Sequence, residues 1–118
     1  MKPYDLPPPP SGRKDDAAKP DYSLLPAIGL DEIVRVLTFG AGKYGRDNWR
    51  MLADLENRYK AAAGRHWAAM LRGELVDPES GLLHSAHLGS CALFLAEVQM
   101  AKKGTILKQP DSANPPTI

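Results

Sequence analysis

The chain has 118 residues, 43% of them hydrophobic and 25% charged, a length and balance that fit one small globular domain with a modest core. Fifteen basic against fourteen acidic residues leave a formal charge of +1, so the overall field gives no basis for binding long nucleic acid or an anionic membrane, while a small anionic ligand stays open. A single cysteine, Cys91, excludes an internal disulfide; with no apolar run of about 18 residues and no signal-peptide pattern, a cytoplasmic protein is expected.

Residues 1–22 hold Pro7 to Pro10 in succession, followed by Ser, Gly, Lys and Asp. That composition favours extended polyproline and loop and predicts a flexible arm, read either as a solvated leader or as a docking peptide or lid. A helical domain is expected over 23–103. Its first helix should begin near Asp31 as N-cap, carry Ile33, Val34, Val36, Leu37 and Phe39, and stop at Gly40 and Gly42. The second should run from about Met51 to Gly73; at roughly 100° per residue, Leu52, Leu55, Tyr59, Ala62, His66, Ala69 and Met70 share one inward stripe. The third should run from about Ser80 to Lys102, with His84, His87, Cys91, Phe94, Leu95 and Val98 on one arc. Residues 104–118, with Gly104, Pro110, Pro115 and Pro116, read as an extended tail. No segment alternates with period two, so the fold class is all-α, a small bundle of antiparallel neighbouring helices. Leu82, Leu83, Leu88 and Leu93 spread over other sides of the third helix and leave a second apolar surface, which predicts at least a homodimer.

His84 and His87 lie at i and i+3, on one side of a helix, just after Glu74, Asp77 and Glu79. Carboxylates and imidazoles gathered within fourteen residues supply converging lone pairs, whose desolvation a cation offsets. The competing explanation is an ordinary helix start in Asp77-Pro78-Glu79-Ser80, with Asp77 or Ser80 capping and Glu79 favoured by the macrodipole. His66, on the facing side of the second helix, adds a third imidazole.

Arg58, Arg65 and Arg72 recur every seven residues along one edge of the second helix. They form either a phosphate path or a solvated, ion-paired edge, with Arg65 beside His66 best placed to offer a bidentate fork to phosphate. The loop Lys43-Tyr44-Gly45-Arg46-Asp47-Asn48-Trp49-Arg50 mixes groups that suit a nucleotide. Tyr44 or Trp49 can stack on a base, Asn48 can read its edge, and Lys43 or Arg50 can meet phosphate; equally, Tyr44 and Trp49 can simply pack the helix junction.

Several stretches, in this order, resemble one phage and prophage family: Lys19-Pro20-Asp21-Tyr22-Ser23-Leu24-Leu25-Pro26, Phe39-Gly40-Ala41-Gly42-Lys43-Tyr44-Gly45, Asn48-Trp49-Arg50, Arg65-His66, Gly73-Glu74, Asp77-Pro78-Glu79-Ser80-Gly81, and His84 with His87. The family is the dATP/dGTP diphosphohydrolase N-terminal-type domain, which includes MazZ-like enzymes of phages that make 2-aminoadenine DNA. The resemblance covers about Gly12 to Glu97. It implies hydrolysis of a purine deoxynucleoside triphosphate, dGTP or dATP, to monophosphate and diphosphate with a divalent metal, in the host cytoplasm if phage-encoded. Some relatives are grouped with the all-α MazG-like pyrophosphohydrolases, whose sites usually pair E-x-x-E on one helix with E-x-x-D on the next. Here His84 and His87 stand where a second acidic pair would be, and imidazole suits Mn²⁺, Zn²⁺ or Co²⁺ better than the oxygen-preferring Mg²⁺.

The site expected on this basis has Glu74 and Asp77 holding Mg²⁺ or Mn²⁺, or alternatively Zn²⁺ or Co²⁺, with Glu79, His84 or His87 completing the shell. Lys43 and Arg65 would clamp phosphates, Tyr44 or Trp49 with Asn48 would address the purine, and one of His66, His84 and His87 would serve as general base. The alternative class is a non-catalytic helical module that binds deoxynucleotides or is stabilised by a metal. With one cysteine and three histidines the chain is a poor supplier of a structural zinc site.

Overall fold

A computed structural model describes residues 12–107. The Pro7 to Pro10 run and the prolines of the expected tail lie outside those residues. Ahead of the first helix, Asp21 organises a short 3₁₀ turn over Tyr22–Leu24 by accepting hydrogen bonds from the Ser23 amide at 3.0 Å and the Ser23 hydroxyl at 2.5 Å.

Helix α1 spans Ala27–Tyr44, longer at both ends than the sequence pattern predicts. It starts one turn before Asp31 because Pro26, in extended conformation with ψ 118°, presents its carbonyl to the Leu30 amide at 3.0 Å. It passes through Gly40 and Gly42 and ends at Gly45, whose φ of 92° turns the chain out of the helix. Two helical glycines cost about 1 kcal/mol each, which the packing of Ile33 and buried Val36 offsets.

Helix α2 spans Leu55–Leu71, so the expected start at Met51 is corrected. Asn48–Met51 forms a separate 3₁₀ turn, and Asp47 and Asp54 both adopt left-handed backbone (φ 62° and 55°), a conformation Asp tolerates and a continuous helix cannot contain. At the other end Gly73, with φ 90°, closes α2 as the amides of Gly73 and Glu74 return to the carbonyls of Met70 and Ala69.

Helix α3 spans His84–Leu107, starting a turn later than predicted and running past the expected end at Lys102, so that 104–107 are helical and not the start of an extended tail. Residues before it form a loop pinched by an antiparallel bridge between Val76 and Leu83, in which the Asp77 amide donates to Leu82 at 2.8 Å and the His84 amide to Leu75 at 3.0 Å. Asp77-Pro78-Glu79-Ser80 is therefore a side-chain-closed turn and not the helix start expected of it.

The architecture is all-α, with no strand among the described residues, and α3 packs against both α1 and α2. Val36, Ala69, Ala86 and Cys91 are the buried apolar residues of this region. Near the middle of α3, Phe94 stacks on Trp49 (centroids 4.2 Å apart) and meets the edge of Tyr59 (5.1 Å).

Candidate metal centre

The histidines arrive from two helices. His66 lies on the inward stripe of α2, and His84 and His87 share one side of the first turn of α3. The bridge between Val76 and Leu83 folds the loop back so that Asp77 is delivered to the same place. His66, Asp77 and His84 each offer one ligand atom, and these atoms lie within 4.8 Å of one another. Nδ1 of His66 is 2.9 Å from Nδ1 of His84, and the His66 ring stacks on His87 with centroids 4.6 Å apart and planes inclined by 12°.

Donor chemistry and spacing fit a divalent ion. Two imidazole nitrogens bound to one ion at roughly 2.0–2.1 Å stand about 2.8–3.4 Å apart for right-angled to tetrahedral geometry. The same separation serves an N–H···N hydrogen bond when no ion is bound, so the pair can be held together in both states. His84 is 5% exposed, and its Nε2 is buried without a hydrogen-bond partner among the described residues. An orphaned imidazole nitrogen is costly to bury, and since it is not the Nδ1 that meets His66, an ion shared by the two Nδ1 atoms would leave that cost in place.

Electrostatics keep the donors in ligand form. Burial pushes the His66 pKa down, and the neighbouring imidazoles of His87 and His84 push it further. Burial likewise lowers that of His87, against the pull of Asp77. For Asp77, burial works upward but is outweighed by hydrogen bonds from the Ser80 and Glu79 amides and by the field of His87 and His66, so its carboxyl titrates below the usual range. Near neutral pH the rings of His66 and His87 are thus neutral beside the Asp77 carboxylate.

The other residues expected at the site are distributed unevenly. Glu74 is exposed and pairs with Arg72 at 3.4 Å, and Glu79 is exposed and pairs with Lys43 at 2.7 Å; neither belongs to the converging trio. His87 also stands outside the trio, its Nε2 2.7 Å from the Ser80 hydroxyl. Arg65 and Arg58 are exposed on α2, and Tyr44 is 62% exposed under the Lys43 ammonium. Asn48 is half-buried in the 3₁₀ turn. Trp49 already carries Phe94 and the Arg50 guanidinium against its ring, the junction packing rather than the base platform, while Arg50 pairs with Asp47 and Glu97. Of the metal ligands expected from sequence, then, Asp77 and His84 converge, and the third member of the trio is His66, a third imidazole that the expected ligand shell left out. Its position on the inward stripe of α2, facing the start of α3, was the available signal. In the sequence, Ser80 carries only the signature of a cap.

The family model described as "dATP/dGTP diphosphohydrolase, N-terminal" matches residues 9–107. The chain belongs to this dATP/dGTP diphosphohydrolase N-terminal family. The resemblance carried by the motifs from Lys19 to His87 is thereby borne out. A relative from Salmonella phage PMBT28, named dATP/dGTP diphosphohydrolase, is 36% identical over 85 residues, which are 72% of this chain and 29% of the relative. The chain thus spans less than a third of that relative's length. No solved structure matches. No helix among the described residues of this family member is long and apolar enough to cross a membrane.

Proposed function

We propose that this chain hydrolyses a purine deoxynucleoside triphosphate, dGTP, dATP or both, to monophosphate and diphosphate at a divalent metal held by His66, Asp77 and His84. The reading is carried by the convergence of these three side chains within 4.8 Å in a member of this family. It is supported by the name of the phage relative, dATP/dGTP diphosphohydrolase. Two imidazoles and one carboxylate favour Mn²⁺, Zn²⁺ or Co²⁺ over Mg²⁺. When bound, such an ion neutralises phosphate charge and acidifies water. The chain's own groups do the rest. His66 and His84 present ring nitrogens, Arg65 offers a fork to phosphate oxygens, and Lys43 exchanges Glu79 for a phosphate. Tyr44, exposed beside Lys43, and Asn48 address the purine.

The test is release of diphosphate from each deoxynucleoside triphosphate in the presence of Mg²⁺, Mn²⁺ or Co²⁺. Release that disappears in Asp77→Asn supports the enzyme; nucleotide binding without product under every ion supports a sensor instead.

Self-association belongs to the same proposal. Trp67 is 54% and Leu71 is 70% exposed on neighbouring turns of α2, and Leu93 and Met100 are exposed on α3. With Val36, Ala69, Ala86 and Cys91 as the buried apolar set of the described residues, further burial by a second copy would supply the missing stabilisation. Light scattering should give at least twice the 12.9 kDa chain mass; a monomer at micromolar concentration would remove this part.

A further inference from the structure

Ser80 touches two parts of the cluster at once. Its backbone amide donates to Asp77 Oδ1 at 3.1 Å, and its hydroxyl lies 2.7 Å from His87 Nε2. The hydroxyl oxygen also accepts the Leu82 amide at 3.1 Å. An amide can only donate, so the arrangement that satisfies every group has the Ser80 hydroxyl accepting from Leu82 and donating its own proton to His87 Nε2. The opposite arrangement would leave the hydroxyl proton of a half-buried serine without a partner among the described residues. His87 is then neutral, with its lone pair on Nε2 committed to Ser80 and its ring proton on Nδ1.

A ring fixed in this way is a template for its neighbour. His87 lies flat against His66 at 4.6 Å and 12°, so the plane of His66 follows that of His87, and with it the direction in which Nδ1 of His66 meets His84. We infer that Ser80 is a positioning residue of the metal centre: its hydroxyl sets the tautomer and tilt of His87, which orients His66, while its amide holds Asp77. This also gives His87 a place outside the trio of ligands, since its Nε2 already has a partner. The inference rests on the metal-centre reading for its consequence, and on hydrogen bonding alone for the state of His87.

The experiment separates the two. In the metal-free, ¹⁵N-labelled chain at pH about 8, where histidines are neutral, long-range ¹H–¹⁵N correlation reports the tautomer of each ring. The wild-type chain and Ser80→Thr should show His87 protonated on Nδ1, and Ser80→Ala should revert to the commoner Nε2–H form. Titration with Mn²⁺ should show Ser80→Ala weakened by roughly 10–100-fold, the usual effect of removing a group that orients a ligand, with Ser80→Thr restored. A wild-type His87 protonated on Nε2 overturns the inference without any variant, as does a Ser80→Ala chain that binds Mn²⁺ as tightly as wild type. If the tautomers behave as expected but the wild-type chain takes up no Mn²⁺, the metal reading falls and the orientation of His87 by Ser80 stands.

Discussion

Nδ1 of His66, in the middle of α2, stands 2.9 Å from Nδ1 of His84, the first residue of α3. At that distance the two nitrogens must share something, a proton or an ion, because two lone pairs facing each other would repel. His66→Ala removes one side of the pair. The expected result is loss of Mn²⁺ or Co²⁺ affinity by more than the roughly 10–100-fold that follows from disturbing a ligand's neighbours. Isothermal titration checks this, and unchanged affinity would place the ion elsewhere.

The two acidic residues flanking the bridge should behave differently. Asp77 belongs to the converging trio, whereas Glu74 is exposed and engaged by Arg72 at 3.4 Å. Asp77→Asn keeps the shape of the turn and its acceptor oxygen for the Glu79 and Ser80 amides but removes the charge that a cation needs. Metal uptake and diphosphate release should therefore fail in Asp77→Asn and persist in Glu74→Gln. The reverse pattern, read by titration and product analysis together, would return Glu74 to the centre.

Acid should destabilise the fold in two separate steps. The folded-state pKa values of His66 and His87 are lowered, first by burial, so the unfolded chain binds protons before the folded one does. Their contribution is present above the unfolded value of about 6.5 and is lost as pH falls below it. Asp77 is also lowered, so its contribution is present above the unfolded carboxyl value of about 3.9 and is lost only as pH drops through the folded value. Thermal melts of the metal-free chain should show Tm falling from about pH 6.5 downward. That first step should shrink in His66→Gln; an identical profile in the variant would deny the shift.

What the sequence disclosed and what it concealed follow from the physics of the signals. The apolar period of 3.6 reports which face of a helix is buried, so the three helices and the inward placement of His66, His84 and His87 were legible. Asp77 misled because an N-cap and a side-chain-closed turn use the same contact, a carboxylate oxygen accepting amides two and three residues ahead. Gly81, with φ 72°, decides between them by sending the chain into the bridge and not into a helix. The bridge itself pairs one residue with one residue and leaves no period to detect. Ser80 was hidden for a related reason: its partner His87 is brought near by that bridge.

Gly89 is a close approach of α3 to Ile33 of α1. A Cβ built there would lie 2.7 Å from Cδ1 and 3.0 Å from Cγ1 of Ile33, so the whole arm of Ile33 would have to move and not its terminal methyl alone. Ile in a helix has one strongly preferred χ1, which makes that movement expensive. Overpacking of this kind costs about 1–3 kcal/mol, and replacing a helical Gly by Ala returns about 1 kcal/mol. Gly89→Ala should thus lower stability by about 1 kcal/mol, and the double variant Gly89→Ala with Ile33→Val, which shortens the obstructing arm, should recover part of it. Urea denaturation of the single and double variants measures the coupling. A Gly89→Ala chain more stable than wild type would mean that α1 can move away from α3 at little cost, and the packing of Ile33 on Gly89 would then not be what fixes the two helices together.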